Sequence, residues 1–398
     1  MRVALLTNVL SPYRIPVFRD LSATPDWTLR IFVNVRTEFH WADAYARAYE
    51  RGCGELDVKL SKTLTLRRRV SMHRTTESAQ RVETHLPLGL LKSLRRFAPD
   101  VILTSELGAR SVIAATCAAL LNVPLVIWSY HARSAAGAVG PWQRALRRGL
   151  LARADAVVGM GRQAREVLLS YGVPRSRIFD APNAHDHEVL EASLAGVQPM
   201  VARHALRAVA GARENLALVV GRLVEAKGPT VLLEQWGRLP PAARADWSLL
   251  FVGDGPLEGR IREAASAHPG EILHLPAVAP ERMPEIYAAS DLLVFPSLGD
   301  PWGLVVNEAF ACGLPAACSR LAGCADDLIE PGRNGWLFDP TDEVETLQTL
   351  TEALRSQDLE RMGTIARDTA KRFTPEQMAA GMRRAIVHAA AGQRNRDA

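Results

Sequence analysis

The stretch DLLVFPSLGDPWGLVVNEAFACGLPAACS occupies residues 291–319. It begins with a short apolar run over 291–297, continues with a segment of helical period over 303–312, and ends with a second apolar run over 314–319. Short apolar runs bounded by Asp, Gly or Pro are typical of parallel strands buried on both faces. A strand, a helix and a further strand in this order predict one unit of a doubly wound α/β sheet.

The same alternation of apolar runs and helical segments extends along both halves of the chain. Predicted strands of the first half are 2–9, 28–35, 100–106, 124–130, 155–160 and 177–183. Predicted strands of the second half are 216–223, 247–255, 271–278, 291–297, 314–319 and 335–339. Because 398 residues are many for one core, we expect two Rossmann-like domains, with ligands at the carboxyl ends of their strands.

The domain boundaries are predicted from where the strand pattern stops. We place an N-terminal domain at 1–195 and a C-terminal domain at 196–374, facing each other across a cleft. The connection around 186–214 has no long Gly/Ser linker, so the two domains are expected to sit close together. The last segment, 375–398, is expected to form a helix that packs back toward the first domain.

Composition argues against several classes of protein. A hydrophobic share of 48% and a charged share of 23% are ordinary for a soluble enzyme, and no apolar run reaches the ~18–20 residues that cross a bilayer. The first 16 residues superficially suggest a signal peptide, but Pro12, Arg14 and Pro16 interrupt the apolar run. We therefore expect a cytoplasmic protein. The five cysteines lack the close pairs of a zinc site, so buried thiols are expected.

The net charge of +5 is unevenly distributed, with +11 in residues 1–190 and −6 in residues 191–398. The basic residues of the first half form clusters: Arg67, Arg68 and Arg69; Lys92, Arg95 and Arg96; Arg144, Arg147, Arg148 and Arg153. Such a half suits a nucleic acid, an anionic membrane or a phosphorylated substrate, and it equally suits ordinary solvated helix faces.

The segment GRLVEAKGP at 221–229 carries two cations at the predicted end of a strand. Arg222 offers a planar fork of donors and Lys227 a compact charge, so together they could neutralise a diphosphate without a metal. Taken alone, two cations in a loop are more often merely solvated.

The segment DPWGLVVNEAFACGLP at 300–315 offers a second set of polar groups. The amides of Gly303 and Leu304 would stand at a helix N-terminus, which attracts anions. Glu308 lies too far into the helix to serve only as a cap, and its carboxylate could accept from both hydroxyls of a ribose. Asp300 could accept from sugar hydroxyls. The alternative is a capping Asp and an ordinary helix Glu.

These motifs together resemble the retaining glycosyltransferases of family four, which have the GT-B fold. The family signature is an acidic residue, seven residues and a Glu, and it corresponds to Asp300 and Glu308 here. GR-x4-KG at 221–228, FVGDGP at 251–256, FPS at 295–297, NGWLF at 334–338 and APN at 181–183 match as well. The resemblance covers nearly all of 1–375.

The resemblance implies roles for the residues of the second domain. Arg222 and Lys227 would bind the donor diphosphate and stabilise the leaving group, and Glu308 would bind the ribose. The other positions implied at the donor site are Gly303, Leu304, Gly253, Val278 and Trp302. Asp300 stands where the family has Glu, one methylene longer, and this departure concerns the identity of the transferred sugar rather than the reaction.

The first domain is expected to bind the acceptor. Family members often place a His near the reacting carbon after a strand, and His131 follows the predicted strand at 124–130. It is expected to bond a sugar hydroxyl or the developing charge. The loop after the first strand lacks the Gly-Gly common in the family, so Tyr13 and Arg14 either contact the acceptor or begin a helix. Glu106 and Arg133 are weaker candidates.

The implied reaction retains the anomeric configuration and uses no protein nucleophile. The acceptor attacks from the face that the diphosphate leaves, and a β-phosphate oxygen accepts its proton. No Asp-x-Asp metal motif is present, so no metal and no cofactor are expected; Asp326 and Asp327 lie in GCADDLIE at 323–330, which resembles the family loop that closes over the donor.

Several alternatives stay open at this point. We favour a UDP-sugar over a GDP-sugar on family frequency, and a glycan or lipid-diphosphate-linked acceptor in assembly of cell-surface polysaccharide or lipopolysaccharide. HLPLGLLKSLRRF at 85–97 mixes apolar and basic residues like an interfacial helix, which predicts peripheral binding to the inner face of the membrane. A soluble acceptor, a nucleotide-sugar epimerase or phosphorylase, and a nucleic-acid-binding protein are the alternatives, the last without a recognised motif.

Overall fold

A computed structural model of the protein describes residues 1–36, 42–71, 79–136, 139–186 and 211–397, together with a few residues between 190 and 205. The chain divides into two compact units. The first comprises Met1–His131, Ala138–Asn183 and Pro375–Ala398, and the second comprises Ala132–Gly137 and Ala184–Thr374. The observed division therefore falls at 183/184, twelve residues before the predicted boundary, and the C-terminal segment belongs to the first unit.

The first unit is built on a parallel sheet with the strand order β3-β2-β1-β6-β7-β8-β9. Its strands are β1 (Arg2–Thr7), β2 (Thr28–Val33), β3 (Val58–Leu60), β6 (Val101–Ser105), β7 (Leu125–Ser129), β8 (Ala156–Gly159) and β9 (Ile178–Asp180). All six strands predicted for this half are present, with their ends shortened by a few residues, and the short edge strand β3 was not predicted. The residues of β1, β6 and β7 are almost completely buried, as expected for strands with helices on both faces.

The helices of the first unit connect these strands. They are α1 (Ile15–Ser22), α2 (Ala42–Glu55), α3 (Leu90–Phe97), α4 (Ala109–Leu121), α6 (Pro141–Arg153), α7 (Gly161–Ser170) and α16 (Pro375–Asp397), with a 3-10 turn at Pro12–Arg14. α16 lies against α1 and the strands β8 and β9. Gly381 is required there because a Cβ at this position would collide with the carbonyl oxygen of Asp180. The last helix thus completes the core of the first unit.

A separate antiparallel hairpin, β4 (Lys62–Ser71) with β5 (Ala79–Leu88), was missed by the sequence analysis. Its strands alternate polar with apolar residues, and Leu64 and Leu66 are 48% and 51% exposed. Strands outside a buried sheet carry no fully apolar run, so these two were not predicted. The side chains of Arg68 and Arg69 lie outside the described residues.

The predicted interfacial helix at 85–97 is only partly correct. Residues 85–88 are the end of β5, and the helix begins at Leu90. Leu90, Leu94 and Phe97 are buried in the core of the first unit, so these apolar side chains are not available to a membrane. Lys92, Arg95 and Arg96 are exposed.

The second unit is a six-stranded parallel sheet with the order β12-β11-β10-β13-β14-β15. Its strands are β10 (Asn215–Val220), β11 (Trp247–Val252), β12 (Ile272–Leu275), β13 (Leu292–Phe295), β14 (Ala316–Ser319) and β15 (Gly335–Phe338). Every strand predicted for the second half is present, so the prediction of two parallel α/β sheets is confirmed.

The helices of the second unit are α5 (Arg133–Ala136), α8 (Pro229–Arg238), α9 (Pro241–Arg244), α10 (Glu258–Ala267), α11 (Met283–Ala289), α12 (Leu304–Ala311), α13 (Ala325–Leu328), α14 (Glu343–Arg355) and α15 (Leu359–Ala370). The side chains of Trp236, Phe251 and Leu350 meet in the core between these helices and the sheet.

Each sheet has one point at which the strand order reverses direction. In the first sheet β1 pairs with both β2 and β6, and in the second sheet β10 pairs with both β11 and β13. At such a point, the loops after the two neighbouring strands lead to opposite faces of the sheet. They leave a crevice at the carboxyl ends of the strands, where α/β proteins bind ligands. The two crevices follow β1 and β6 in the first unit, and β10 and β13 in the second. Within the described part of the chain, no helix is both long and apolar enough to cross a bilayer.

Candidate functional site

The crevice of the second unit is shaped by glycines that let loops approach each other. Gly253, at the end of β11, has a φ of +144°, and a Cβ there would collide with the carbonyl oxygen of Gly221 after β10. Gly228 has a φ of +68°, and a Cβ on it would collide with the carbonyl oxygen of Pro296 after β13. Only glycine combines these backbone angles with such contacts. Gly253 was predicted at the donor site, and in the structure it allows two loops to come together.

Lys227 and Asp300, predicted from separate motifs, form an ion pair. Asp300 is 9% exposed, and its Oδ1 also accepts a hydrogen bond of 3.0 Å from the amide of Trp302. The Lys227 ammonium stands 6.0 Å from the ring centre of Phe295. Both oxygens of the Asp300 carboxylate are therefore engaged within the protein, and the carboxylate fixes the position of the lysine.

Arg222 follows β10 and is half-buried. Burial lowers the pKa of its guanidinium, because the charged form is costly to desolvate. Among the residues that the structure describes, no side chain or carbonyl is hydrogen-bonded to this guanidinium and no carboxylate pairs with it. Arg222 thus keeps its donors available, in contrast to Lys227.

The helix α12 begins at this crevice. Its N-cap, Gly303, has a φ of +105°, and a Cβ there would come within 2.7 Å of the Phe295 ring. The amide of Leu304, at the first helical position, has no acceptor within the helix and lies at its positive end, whereas the amide of Val306 donates to the carbonyl oxygen of Gly303 over 3.0 Å. A glycine is therefore needed for the chain to enter the helix beside β13, and an anion can approach the amide of Leu304.

Glu308 lies one turn further along α12. Its Oε2 accepts a hydrogen bond of 2.7 Å from the hydroxyl of Tyr287 on α11. Burial raises the pKa of Glu308, and the bond from Tyr287 opposes this shift. Oε1 has no partner among the described residues, so it can accept from a ligand. Tyr287 was missed by the sequence analysis because 21 residues separate it from Glu308.

The side chain of Trp302 is buried within the second unit. Its side chain is 2% exposed, its Nε1 donates to Oδ1 of Asn307 over 2.7 Å, and its ring packs 6.2 Å from that of Phe373. Its predicted contact with the donor is therefore limited to its backbone. Val278 is partly exposed in the loop after β12.

The loop GCADDLIE at 323–330 is hydrogen-bonded to the loop at 300–302. The amide of Gly323 donates to the carbonyl oxygen of Asp300 over 2.9 Å, and Asp326 forms an ion pair with Arg133. No group of three or more His, Cys, Asp or Glu among the described residues is arranged to hold a metal ion.

The crevice of the first unit contains a network centred on Glu106. This residue has a φ of +73°, which is unfavourable for any residue other than glycine. Its Oε1 accepts from the Tyr130 hydroxyl and, over 3.3 Å, from Nδ2 of Asn8. Its Oε2 stands 3.4 Å from Nη2 of the buried Arg110. Glu106, one of the predicted first-domain candidates, is thus the centre of this crevice. Its partners Asn8, Tyr130 and Arg110 were not predicted.

His131 is the second residue after the end of β7, at the edge of the same crevice. Its Nδ1 stands 3.2 Å from the Ser129 hydroxyl, and its ring stacks on Tyr130 at 6.0 Å. Burial and, to a smaller extent, the charge of Arg147 lower the pKa of His131 to about 4, and the charge of Glu106 opposes the shift. The imidazole is therefore neutral at pH 7.

Arg14, left open by the sequence analysis, begins a helix. Residues 12–14 form a 3-10 turn that leads into α1, and the Arg14 guanidinium lies 4.4 Å from the ring centre of Trp128 and 5.4 Å from that of Tyr130. Tyr13 is partly buried beside it. Arg14 is 9% exposed, so its guanidinium packs against these aromatic rings rather than extending into solvent.

Two parallel sheets, each with a polar crevice at its reversal point, define an α/β protein of the GT-B fold. The structure of HepE from Anabaena, solved in complex with UDP, superimposes with a TM-score of 0.73 over 97% of this chain and 100% of that one, at 17% identity. This likeness concerns the fold alone.

Comparison of sequences identifies the family. Residues 205–369 match the family Glycosyl transferases group 1, and residues 45–189 match Glycosyltransferase Family 4. These matches together cover well over half of the chain, which therefore belongs to these glycosyltransferases.

Two curated relatives show the extent of the similarity. The sulfoquinovosyl transferase SQD2 of Arabidopsis thaliana is 26% identical over 74% of this chain and 58% of its own length. The D-inositol 3-phosphate glycosyltransferase of Paenarthrobacter aurescens is 29% identical over 55% of this chain and 53% of its own. The chain thus spans between half and three fifths of the length of these relatives.

Proposed function

We propose that the protein transfers a sugar from a nucleotide-sugar donor with retention of anomeric configuration and without a metal. The observation that carries this proposal is the set of groups at the crevice of the second unit. An unpaired guanidinium at Arg222, the ammonium of Lys227, the amide at the start of α12 and the open oxygen of Glu308 are complementary to a diphosphate joined to a ribose.

Each group has one task in the proposed reaction. The bond between the anomeric carbon and the β-phosphate oxygen breaks while the acceptor oxygen forms its bond from the same face. Arg222 and Lys227 stabilise the charge that grows on the diphosphate, and a β-phosphate oxygen takes the acceptor proton. Two cations supply the electrostatic stabilisation that a divalent metal supplies in other transferases. Asp300 orients Lys227. In the first unit, the neutral imidazole of His131 is a hydrogen-bond donor for a sugar hydroxyl.

We favour a UDP-sugar as the donor, since HepE, whose fold this chain shares, was solved with UDP. Calorimetric titration with UDP, GDP and ADP tests this choice, and tighter binding of GDP would overturn it. Transfer in the presence of EDTA, followed by nuclear magnetic resonance of the first product, tests the reaction. A product of the donor's own anomeric configuration is expected. An inverted anomer, or loss of transfer in EDTA, contradicts the proposal.

We further propose a glycan or lipid-linked acceptor at a cytoplasmic membrane surface. The observation in favour is the exposed face of α6, a helix without acidic residues. Trp142 is 90% exposed and Leu146, one turn later, is 48% exposed, while Arg144 and Arg148 are exposed on the same helix. Tryptophan with arginine is the composition of a helix that lies on an anionic leaflet.

Cosedimentation with vesicles containing anionic lipid tests the membrane contact. Trp142→Ala is expected to weaken binding, and Val344→Ala, at a 65% exposed position of the second unit, serves as the matched control. Equal recovery of the protein with and without vesicles would contradict the membrane contact and favour a soluble acceptor, such as the substrate that the name of the D-inositol 3-phosphate relative indicates.

A further inference from the structure

The hydroxyl of Tyr287 is bonded to the carboxylate that the proposed function assigns to the ribose. Tyr287 lies on α11, which precedes β13, and Glu308 lies on α12, which follows it. The tyrosine side chain is 1% exposed, and its hydroxyl donates to Oε2 of Glu308 over 2.7 Å. A buried tyrosine hydroxyl needs a partner, and here the partner is a partly exposed carboxylate rather than a backbone carbonyl. The bond therefore joins the core of the second unit to its crevice.

The bond from Tyr287 affects the charge of Glu308. Burial raises the pKa of Glu308 because the ionised carboxylate is costly to desolvate, and the hydrogen bond from Tyr287 lowers it. Ribose hydroxyls donate to a carboxylate, so they bind best to the ionised form, which accepts at both oxygens. A protonated carboxyl presents an O–H of its own. Without the tyrosine hydroxyl, burial would act on Glu308 unopposed and would favour the form that suits a ribose less.

The other titratable groups beside α12 do not replace this bond. Cys312, just after the helix, has a neutral thiol, because burial and, to a smaller extent, the charge of Glu308 raise its pKa to about 12. Arg367 on α15 donates through Nη2 to the carbonyl oxygen of Cys312 over 3.3 Å. Cys318, on the adjoining strand β14, donates to a backbone carbonyl oxygen over 3.5 Å. Among the residues that the structure describes, Tyr287 is thus the side chain that donates to Glu308.

We propose that Tyr287 is a positioning residue for the donor nucleotide, because it keeps Glu308 ionised and engages Oε2, which leaves Oε1 for the ribose hydroxyls. This inference rests on the proposed function, in which Glu308 binds the ribose. The tyrosine hydroxyl itself stays a donor, since burial and then the charge of Glu308 raise the pKa of Tyr287 well above its usual range. The site accordingly prefers a ribonucleotide to a deoxynucleotide, and Tyr287 preserves that preference as the pH falls.

Calorimetric titration of the full-length protein with UDP, 2′-deoxy-UDP and 3′-deoxy-UDP tests the inference. Tyr287→Phe keeps the ring in the core and removes the donor. It is expected to weaken binding of UDP about tenfold, as for loss of a bond to a charged group. It is also expected to reduce the preference for UDP over at least one of the deoxynucleotides. Tyr171→Phe, at a 7% exposed tyrosine of the first unit, is the control and is expected to bind all three like the wild type.

The pH dependence of UDP binding separates positioning from support of the fold. The ratio of the wild-type affinity to that of Tyr287→Phe is taken at each pH, so that titration of the phosphate, which is common to both proteins, cancels. This ratio is expected to grow as the pH falls from about 8.5 to about 5, because Glu308 takes up its proton at a higher pH in the variant. A cooperative thermal transition of Tyr287→Phe shows that the variant is folded.

The outcomes distinguish the two levels of the proposal. A ratio that does not change with pH, or an unchanged preference for UDP over both deoxynucleotides, would show that Tyr287 only supports the fold and would overturn this inference alone. Failure of the wild-type protein to bind UDP would overturn the proposed donor and this inference together.

Discussion

The crevices of the two units occupy equivalent places in their sheets but are held together differently. In the second unit, glycines at 221, 228, 253 and 303 adopt positive φ, and loop backbones contact each other directly. In the first unit, the network around Glu106 joins loops through side chains, and the residue with the unfavourable φ is a glutamate. Backbone contact holds the loops of the second crevice close together and leaves the guanidinium of Arg222 open to a ligand. A side-chain network produces a pocket whose shape depends on charges.

The largest expected effect tests the backbone contact. Gly253→Ala places a Cβ against the carbonyl oxygen of Gly221 at a φ of +144°, so the second unit should lose about 3–4 kcal/mol of unfolding free energy. Urea denaturation measures the loss. Gly259→Ala, in the exposed helix α10 with nothing near its Cβ, is the control and should gain up to about 1 kcal/mol. Similar stabilities of the two variants would show that the loops can separate at little cost.

The second effect concerns the open cation of the second crevice. Arg222→Gln should weaken the binding of UDP about 30- to 100-fold, because a charge-assisted contact contributes about 2–3 kcal/mol. Calorimetry measures the change. Arg282→Gln removes an equal charge from an exposed ion pair of the same unit and should bind UDP like the wild type.

Glu308→Ala should abolish nucleotide binding with the fold intact, and retained affinity would refute the assignment of the ribose to Glu308.

The third effect concerns His131 in the first crevice, whose contribution to stability depends on pH. The pKa of His131 lies at about 4 in the folded protein and near 6.5 in an unfolded chain, so the unfolded state binds the proton first as the pH falls. The contribution of this residue to stability is present above pH 6.5 and is lost between pH 6.5 and 4. Lowering the pH from 7 to 5 should cost about 2 kcal/mol from this residue.

Denaturation at a series of pH values measures this dependence. The slope should flatten in His131→Asn and persist in His268→Asn, where an exposed histidine is replaced. An unchanged slope in His131→Asn would show that the histidine is not held neutral by its surroundings.

The smallest effect isolates the strain at Glu106. Glu106→Gly and Glu106→Ala both remove the carboxylate from Tyr130 and Arg110, but only glycine adopts a φ of +73° without strain. The glycine variant should be more stable than the alanine variant by about 1 kcal/mol. Thermal unfolding of the two proteins gives the difference. The alanine variant being equally stable would mean that the backbone relaxes once the network is gone.

The same contrast explains what could be predicted from the sequence. The strands of both sheets follow from apolar runs, and the second crevice follows from motifs in which glycines and charged residues stand close together along the chain. Lys227 and Asp300 belong to two different motifs. Each residue was predicted at the site, but the ion pair between them was not. The observation that Trp302 is buried required the structure, since its neighbour in space is Phe373.

The first crevice was largely unpredicted for a physical reason. Its members Asn8, Glu106 and Tyr130 come from the ends of three strands, and no short segment contains more than one of them. Arg147 was seen only as part of a basic cluster, because sequence does not distinguish one buried arginine from three exposed neighbours. The β4–β5 hairpin was missed because it carries no continuous apolar run.

The return of α16 to the first unit bears on the order of events during synthesis. Residues 1–183 leave the ribosome first, yet their core lacks α16 and its contacts with α1, including the ion pair between Arg383 and Asp20. The second unit, encoded in the middle, has all of its own elements before the first unit does. A polypeptide that ends before Pro375 therefore contains every element of the second unit but lacks the last helix of the first.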